Sequence, residues 1–434
     1  MNYTVKAGFR SGCVSIPASK SYAHRHMICA ALSKTNTVIT CEGVSKDIQA
    51  TAECLKALGA GIRIADDTIS VTPLLRAGGS AEAAGKLETD GELEAGGCIL
   101  PAGESGSTLR FLLPVVAALG ITGTFTMAEG LARRPVDDLI NVMEAHGVTV
   151  TRGENTISLQ GRMTAGDFEI PGNVSSQYIS GLLMALPLLG GDSRLVITGN
   201  IESKDYINIT EEVLRKSGIQ FELSGQEYRI PGNQQYASKA QVRVEQDWSN
   251  AAFFLCMGAL SKEGITIEEM PLASGQGDKA ILTVLKEMGA DIRIEGSAVT
   301  VRRKELRGVT VDASTIPDLV PTIAALATLC SGTTTITHAD RLRIKESDRL
   351  RSTAELLMGL GATVVELPDG LIISGSSYLT GGTIDAWNDH RIAMAAAVAA
   401  CGCTADVVVL GAECVSKSYP KFWDHLSGLE VSNE

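Results

Sequence analysis

Two kinds of predicted helix recur along the chain. The first kind is apolar on every side, which is typical of a helix buried in a core. It occurs in six versions, SYAHRHMICAALS, STLRFLLPVVAALG, SQYISGLLMALPLL, SNAAFFLCMGALS, PDLVPTIAALATLC and DHRIAMAAAVAAC. The pattern therefore predicts six units, each built on one core helix.

The second kind of helix is amphipathic and is followed by a glycine, a strand, a turn and another strand. It occurs as ECLKALGAGIRIADDTISV, NVMEAHGVTVTRGENTISL, EVLRKSGIQFELSGQEYRI, TVLKEMGADIRIEGSAVTV and ELLMGLGATVVELPDGLII. The glycines, which we expect to end these helices in the left-handed region, are Gly59, Gly147, Gly218, Gly289 and Gly361. They recur at intervals of 71 or 72 residues after a first interval of 88. We therefore expect an α/β repeat architecture, with an exposed Gly/Ala/Glu-rich insertion over residues 74–97 in the longer first interval.

The N-terminal and C-terminal segments each contain one part of a sixth predicted repeat. A sixth amphipathic helix is predicted over residues 422–428, and no strand pair is predicted after it. A strand, a turn and a strand are predicted instead over residues 3–16. We interpret the repeat as circularly permuted, so that residues 1–17 join residues 242–434 in one domain and residues 18–241 form the other. A length of 434 residues also favours two domains over a single core.

Basic residues cluster near the predicted helix N-termini. Because a helix N-terminus carries partial positive charge, cations are unfavourable there unless an anion lies among them. If the units stack in parallel, these termini share one surface, which would suit phosphates and carboxylates. The cations are Lys20, Arg25, Arg110, Arg134, Arg349, Arg391 and Lys417. Ser, Thr, Asp and Asn at the same termini fit ordinary N-caps. Asp318 and Glu346 are candidate acid/base groups, although either alone also fits a cap or an ion-pair partner.

Composition narrows the classes of function. A net charge of −12 argues against general nucleic-acid binding, but it leaves room for a small anionic ligand at a local cationic cluster. The 10 cysteines form no CxxC pair and no zinc-ligand spacing, so free thiols in a reducing cytosol are expected. The N-terminal residues have no signal-peptide pattern, and the apolar runs are too short to span a bilayer. These features favour a cytoplasmic protein that binds neither membranes nor nucleic acid.

Eight short motifs together resemble the EPSP synthase family over essentially the whole chain. They are PASKS, RRP, VSSQ, SKDY, IPD, LRIKESDRL, NDHR and SKSYP, in the family's order. The resemblance implies two similar α/β domains, each of three repeated βαβαββ units around buried parallel helices, hinged together with substrates bound between them. It further implies transfer of the enolpyruvyl group of phosphoenolpyruvate to the 5-hydroxyl of shikimate 3-phosphate, with release of phosphate. No cofactor and no metal are implied, and we expect a monomer.

The motifs also carry the family's site residues onto this sequence. The residues that resemble the shikimate 3-phosphate contacts are Lys20, Ser21, Arg25, Ser175, Ser176, Gln177, Ser203, Tyr206, Asp318 and Lys345. Those that resemble the phosphoenolpyruvate contacts are Lys20, Gly106, Arg134, Gln177, Arg349, Arg391 and Lys417. The resemblance makes Asp318, Glu346 and Lys20 catalytic. We expect Asp318 to accept the hydroxyl proton and Glu346, aided by Lys20, to deliver the carbon proton, although Lys20 and Glu346 could exchange roles.

The sequence departs from the family pattern at the loop Gly103–Thr108, at Phe111 and at Arg341, which leaves the response to the family's inhibitor, glyphosate, open. Two alternatives also stay open. The related enolpyruvyl transferase that acts on UDP-N-acetylglucosamine uses a loop cysteine, where this chain has Ser107 and Thr108. A non-enzymatic repeat scaffold would explain the repeats but not the cations at helix N-termini.

Overall fold

A computed structural model describes residues 1–74 and 97–432. Contacts within the chain define two compact units. Unit 1 comprises Met1–Ser19 and Glu245–Glu434, and unit 2 comprises Lys20–Val244. We propose that each unit folds as an independent domain. The predicted insertion over residues 74–97 lies, apart from its two end residues, outside the described residues.

The helices form in the order core helix, then surface helix, within each repeat. In the described residues they are α1 (Lys20–Leu32), α2 (Lys46–Ala57), α3 (Gly106–Leu119), α4 (Glu129–Ala132), α5 (Asp137–Glu144), α6 (Ser176–Ala185), α7 (Lys204–Lys216), α8 (Trp248–Leu260), α9 (Ile281–Met288), α10 (Val320–Ala327), α11 (Arg349–Gly359), α12 (His390–Ala400) and α13 (Phe422–Ser427). No helix in this part of the chain is both long and apolar enough to cross a membrane.

The strands are short and pair within small sheets. They are β1 (Asn2–Val5), β2 (Phe9–Val14), β3 (Thr37–Thr40), β4 (Gly61–Ala65), β5 (Thr68–Thr72), β6 (Cys98–Gly103), β7 (Gly123–Met127), β8 (Val148–Arg152), β9 (Thr156–Gly161), β10 (Asp167–Pro171), β11 (Ser193–Thr198), β12 (Glu222–Ser224), β13 (Glu227–Ile230), β14 (Gln241–Arg243), β15 (Ile265–Ile267), β16 (Asp291–Glu295), β17 (Ala298–Arg302), β18 (Thr310–Asp312), β19 (Thr333–Thr337), β20 (Thr363–Leu367), β21 (Gly370–Ser374), β22 (Gly382–Asp385), β23 (Val407–Leu410) and β24 (Glu430–Ser432).

One pairing pattern repeats in these sheets. In the order β6-β7-β9-β8, the first two strands are parallel and the later pairs are antiparallel. The orders β10-β11-β13-β12, β18-β19-β21-β20 and β14-β3-β5-β4 follow the same scheme. A core helix joins the parallel strands β6 and β7, and a surface helix precedes the hairpin of β8 and β9. The predicted βαβαββ repeat is therefore present.

The N-terminal strands pair with strands from distant parts of the sequence. β1 pairs with β23, whereas β2 pairs with β15 and β24. A single strand, β24, follows the last helix in the described part of the chain. Asp406 accepts hydrogen bonds from the backbone N–H of Ala7, at 3.0 Å, and from Nζ of Lys6, at 2.7 Å. These bonds hold the segment that connects β1 to β2 beside the start of β23, so β1 and β2 do not form a hairpin.

The apolar helices form the cores, as predicted. In α8 and α12 every residue is buried, and α3 is buried at all but two positions. A Cβ on Gly181 would lie 2.3 Å from the carbonyl oxygen of Arg110, so α6 and α3 pack with their backbones in close approach. The predicted helix over residues 176–189 was too long. It ends at Ala185, and a short 3-10 turn follows at Leu186–Leu188, because Pro187 lacks a backbone N–H.

Candidate active site

The predicted site residues lie at or near the N-termini of helices in both units. Unit 2 contains Lys20, Ser21, Arg25, Gly106, Arg134, Ser175, Ser176, Gln177, Ser203 and Tyr206, and unit 1 contains Asp318, Lys345, Glu346, Arg349, Arg391 and Lys417. We call the group around Lys20, Gly106 and Gln177 in unit 2 the Lys20 cluster. We call the group around Asp318, Glu346, Arg349 and Arg391 in unit 1 the Arg349 cluster.

Lys20, the first residue of α1, forms an ion pair with an aspartate that sequence analysis missed. Its Nζ lies 2.8 Å from Oδ2 of Asp47, and both side chains are more than four-fifths buried. Asp47 occupies the first turn of α2, behind the N-cap Ser45. An acidic residue is favourable in that turn, which is a sequence signal that could have drawn attention to Asp47.

Gly106 opens α3 beside two guanidinium groups. Ser105 caps the helix by accepting a hydrogen bond from the N–H of Thr108. A Cβ built on Gly106 would lie 2.7 Å from Nη1 of Arg110 and 3.0 Å from Nη1 of Arg134. The absence of a side chain at Gly106 therefore brings the backbone of a helix N-terminus against two cations, which is an arrangement suited to an anion.

Gln177 joins the N-terminus of α6 to that of α3. Its Oε1 accepts a hydrogen bond from Nη1 of Arg110 at 2.8 Å, and its Nε2 donates to Oγ of Ser107 at 3.0 Å. Ser175 caps α6 and accepts a hydrogen bond from the N–H of Gln177 at 3.3 Å. These bonds fix the neighbouring starts of two core helices in unit 2.

Arg25 lies beneath this surface, among α1, α6 and α7. Nε donates to Oγ1 of Thr210 at 2.6 Å, and Nη2 donates to the carbonyl oxygen of Tyr206 at 2.9 Å and to Oγ of Ser180 at 3.2 Å. Nη1 donates to the carbonyl oxygen of Ser21 at 2.7 Å. Burial lowers the pKa of Arg25 to about 10, so the guanidinium is charged at neutral pH.

Ser203 and Ser176 begin the adjacent surface and core helices of unit 2. Ser203 precedes α7 with a φ of 51°, in the left-handed region that is uncommon outside glycine. Ser176 is the first residue of α6 and is buried. Both hydroxyl groups therefore lie at helix N-termini.

Arg349 is the centre of the cluster in unit 1. It is the first residue of α11 and is almost completely buried, and each of its three nitrogens donates to a carboxylate. Nη1 lies 2.8 Å from Oδ1 of Asp318, Nη2 lies 2.6 Å from Oε2 of Glu346, and Nε lies 2.8 Å from Oδ2 of Asp389. The two candidate acid/base carboxylates therefore contact one guanidinium.

Asp318 is held by a second arginine as well. Nη2 of Arg391 lies 2.7 Å from Oδ2 of Asp318, and Nη1 donates to the Asp318 carbonyl oxygen at 3.0 Å. Burial opposes ionisation of Asp318, but Arg391, Arg349 and Lys345 outweigh it and hold its pKa below the usual range. The carboxylate is therefore ionised at neutral pH.

Two further titratable groups interact with Asp318. Burial lowers the pKa of Lys345 to about 8, against the opposing effect of Asp318. Burial and the negative charge of Asp318 raise the pKa of Asp278, which sequence analysis missed, to about 7. Asp278 accepts a hydrogen bond from the hydroxyl of Ser249, the second residue of α8. The repeat places Asp278 just before a surface helix, which is the only sequence signal it carries.

Lys417 lies next to the N-terminus of α12. Its Nζ donates to the carbonyl oxygen of Asn388 at 2.5 Å, and the lysine is buried. Asp389 caps α12 by accepting from the N–H of Arg391 at 3.0 Å. The NDHR motif therefore supplies both a helix cap and a guanidinium.

The structure changes one part of the electrostatic argument. The sequence suggested that the cations need an external anion, but Asp47 neutralises Lys20, and three carboxylates surround Arg349. An anionic ligand would therefore compete with carboxylates of the protein. This exchange can change the basicity of those carboxylates when a ligand binds.

Residues 8–426 match the family model for EPSP synthase, described as 3-phosphoshikimate 1-carboxyvinyltransferase. The chain belongs to the EPSP synthase family. A Clostridium kluyveri relative named 3-phosphoshikimate 1-carboxyvinyltransferase is 42% identical, over 96% of this chain and 95% of the relative. A Clostridium novyi relative of the same name is 41% identical, over 95% and 94% of the two chains.

Solved structures share the fold of this EPSP synthase family member. An EPSP synthase structure from Acinetobacter baumannii covers 100% of both chains with a TM-score of 0.77 and 23% sequence identity. A second structure of an EPSP synthase from Acinetobacter baumannii also gives a TM-score of 0.77, at 22% identity. The expected fold class is therefore confirmed.

Proposed function

We propose that this chain transfers the enolpyruvyl group of phosphoenolpyruvate to the 5-hydroxyl of shikimate 3-phosphate and releases phosphate. The observation that carries the proposal is the 42% identity, over almost the whole of both chains, to a relative named for this reaction. The chemistry of the two clusters supports it, since both combine guanidinium groups with helix N-termini.

We assign the phosphate of shikimate 3-phosphate to the N-terminus of α6. The hydroxyl of Ser175 accepts from the N–H of Gln177, so its own hydrogen can donate to a phosphate oxygen. The other assigned residues of unit 2 lie on α1, α6 or α7 or directly before α7, and they are Ser21, Arg25, Ser176, Ser203 and Tyr206. Lys345 is assigned to the ring hydroxyls together with Asp318.

The carboxylate and phosphate of phosphoenolpyruvate are assigned to the cations. Arg134 lies at Gly106 in unit 2, and Arg349, Arg391 and Lys417 lie in unit 1. Guanidinium groups bind carboxylates and phosphates through two parallel hydrogen bonds, which orients the ligand as well as holding it.

The proposed reaction begins at Asp318. The 5-hydroxyl oxygen attacks the central carbon of phosphoenolpyruvate as its proton passes to Asp318. An anion that takes up the guanidinium groups of Arg349 and Arg391 removes part of the charge that depresses the pKa of Asp318. Substrate binding therefore makes this carboxylate a stronger base.

The carbon proton is assigned to Glu346, with Lys20 as the supporting group. As the carbon–oxygen bond forms, the carboxylic acid form of Glu346 gives its proton to the methylene carbon, which becomes a methyl group and leaves Glu346 as a carboxylate. The tetrahedral intermediate then loses phosphate while one methyl proton returns to the enzyme, which regenerates the double bond. Helix N-termini and guanidinium groups supply fixed positive charge to the departing phosphate.

Product identification tests the proposal. The protein is incubated with phosphoenolpyruvate and either shikimate 3-phosphate or UDP-N-acetylglucosamine, and phosphate release and the enolpyruvyl product are measured. We expect product with shikimate 3-phosphate only. Product with the nucleotide sugar would assign the alternative transferase activity, and no product with either acceptor would favour a non-enzymatic scaffold.

The monomeric state and the cytoplasmic location belong to the same proposal. A mass of 45.6 kDa by light scattering is expected for the active species. A larger mass at assay concentration would overturn the monomer.

A further inference from the structure

A buried row of side chains connects three helices one turn below the Lys20–Asp47 ion pair. Nδ1 of His24, in α1, lies 2.7 Å from Oγ1 of Thr51 in α2. Oγ1 of Thr51 lies 2.6 Å from Oγ1 of Thr108 in α3, and Thr108 donates to Oγ of Ser105 at 2.7 Å. All four residues are completely buried.

The number of hydrogens fixes the direction of this row. Each hydroxyl has one hydrogen, and that of Thr108 goes to Ser105 or to the carbonyl oxygen of Asp47, so Thr108 must accept from Thr51. The hydrogen of Thr51 is then used, so Thr51 must accept from Nδ1 of His24. The row is complete only if His24 carries its hydrogen on Nδ1.

The surroundings of His24 agree with this tautomer. Burial, with help from the positive charges of Lys20 and Arg25, holds the pKa of His24 well below its usual value, so the ring is neutral. Nε2 makes no hydrogen bond within residues 1–74 and 97–432. A buried nitrogen without a partner is tolerated more easily as a lone pair than as an N–H.

We propose that His24 is a positioning residue for the phosphoenolpyruvate half of the reaction. By donating from Nδ1 it orients the hydroxyls of Thr51 and Thr108, and so holds the N-terminus of α3, with Gly106, in register with Asp47 and Lys20. The proposal rests on the proposed function, because that function assigns Gly106 to phosphoenolpyruvate and not to shikimate 3-phosphate.

A second buried row of hydrogen bonds links α6 and α7 and does not include His24. Arg25 donates to Thr210, and Thr210 donates to Ser180 at 2.7 Å. The residues assigned to the phosphate of shikimate 3-phosphate lie on these two helices. A change at His24 should therefore affect the two substrates unequally, whereas a loss of overall stability would affect both.

Steady-state kinetics of three variants test the proposal. His24→Leu removes the donor, His24→Asn keeps an N–H near the position of Nδ1, and Thr51→Val breaks the row at its middle. We expect His24→Leu and Thr51→Val to raise the KM for phosphoenolpyruvate by about ten- to a hundredfold. The KM for shikimate 3-phosphate should change by less than about threefold, and His24→Asn should restore most of the loss.

The tautomer is measured on the unliganded wild-type protein by NMR with ¹⁵N-labelled histidine. We expect a hydrogen on Nδ1 and none on Nε2 of His24, with the resonance assigned by its loss in His24→Asn. A hydrogen on Nε2 would reverse the row and overturn the proposal, as would equal changes in both KM values or no change in His24→Leu. If the wild-type protein forms no product, the proposed function and the positioning role fail together, while the tautomer still decides the hydrogen-bond row.

Discussion

Arg349 and Asp389 form an ion pair that is shielded from water, with Nε of Arg349 2.8 Å from Oδ2 of Asp389 and almost no exposure of either side chain. Asp389 also caps α12, so it fixes the guanidinium to the backbone of a second helix. The remaining two nitrogens of Arg349 point to Asp318 and Glu346. A buried charge is costly to leave unpaired, and these three carboxylates together pair every nitrogen of the guanidinium.

Asp318→Asn should lower kcat by about a hundredfold or more, because an amide cannot accept the hydroxyl proton. The KM for phosphoenolpyruvate should not rise, since Arg349 and Arg391 lose a competing anion. Steady-state kinetics and a thermal melt check both statements. Asp312→Asn, at an exposed aspartate of the same unit, is the matched control. Near-normal kcat in Asp318→Asn would remove this residue from the catalytic role.

Glu346→Gln should also reduce kcat by about a hundredfold or more, because the proton for the methylene carbon is lost. The rate at which methyl hydrogens exchange with deuterated solvent during turnover should fall together with kcat. Glu355→Gln alters a glutamate that pairs on the surface with Arg351 and should leave both quantities unchanged. Undiminished exchange in Glu346→Gln would transfer the proton step to Lys20.

Gly106→Ala should weaken inhibition by glyphosate more than it weakens phosphoenolpyruvate binding. The new methyl group would meet Nη1 of Arg110 at 2.7 Å and Nη1 of Arg134 at 3.0 Å, so it intrudes most on the larger ligand. The inhibition constant and the KM are measured for both proteins. Gly130→Ala is the control, since a Cβ there meets no atom within 4 Å. An unchanged ratio of the two constants would exclude Gly106 from the inhibitor site.

Asp278→Asn should stabilise the unliganded protein above neutral pH. In the wild-type protein the pKa of Asp278 is raised from an ordinary value of 3.8 to about 7, so the folded state binds the proton more tightly than the unfolded state. The stability that this group contributes is therefore complete below pH 3.8 and is lost as the pH rises through 7. The difference in free energy of unfolding, variant minus wild type, should grow across this range and then level off. Urea unfolding at several pH values measures it, and a constant difference would contradict the assignment.

If the proposed domains fold independently, Val5→Asp should destabilise unit 1 and leave the stability of unit 2 unchanged. Val5 is buried in β1 and pairs with Val407 in β23. An unpaired buried carboxylate is strongly unfavourable there. Hydrogen exchange followed by mass spectrometry should show lost protection in β22 and β23. Val71→Asp, at an equally buried site in β5, should produce the opposite pattern, and loss in both units from either variant would indicate one folding unit.

The helices could be predicted because their signals are local. The apolar stretches became core helices, and the predicted glycines all have positive φ, from 77° at Gly218 to 99° at Gly59. The end of α6 was misjudged because the apolar pattern continues through Pro187, where the backbone hydrogen bonds cannot. The partners of β1 and β2 were missed because a strand's hydrophobic alternation does not identify its neighbour in the sheet.

The site was predictable in its cations and less so in its carboxylates. Arginines at helix N-termini contradict the usual helix preference, so Arg349 and Arg391 were conspicuous. Asp47, Asp278 and Asp389 were not, since an aspartate at a helix N-terminus is ordinary. Which cation each of these aspartates contacts depends on how the helices pack, and that packing depends on residues throughout the core.

The pairing of β1 with β23 also sets an order of events during synthesis. Asn2 lies opposite Leu410, so the strand leaves the ribosome long before its partner. At about 5–20 residues per second, the interval is roughly 20–80 seconds. Unit 2, which is continuous from Lys20 to Val244, can complete its sheets within that time. The edge of β1 stays unpaired meanwhile and is a place where a chaperone or a neighbouring chain can bind during translation.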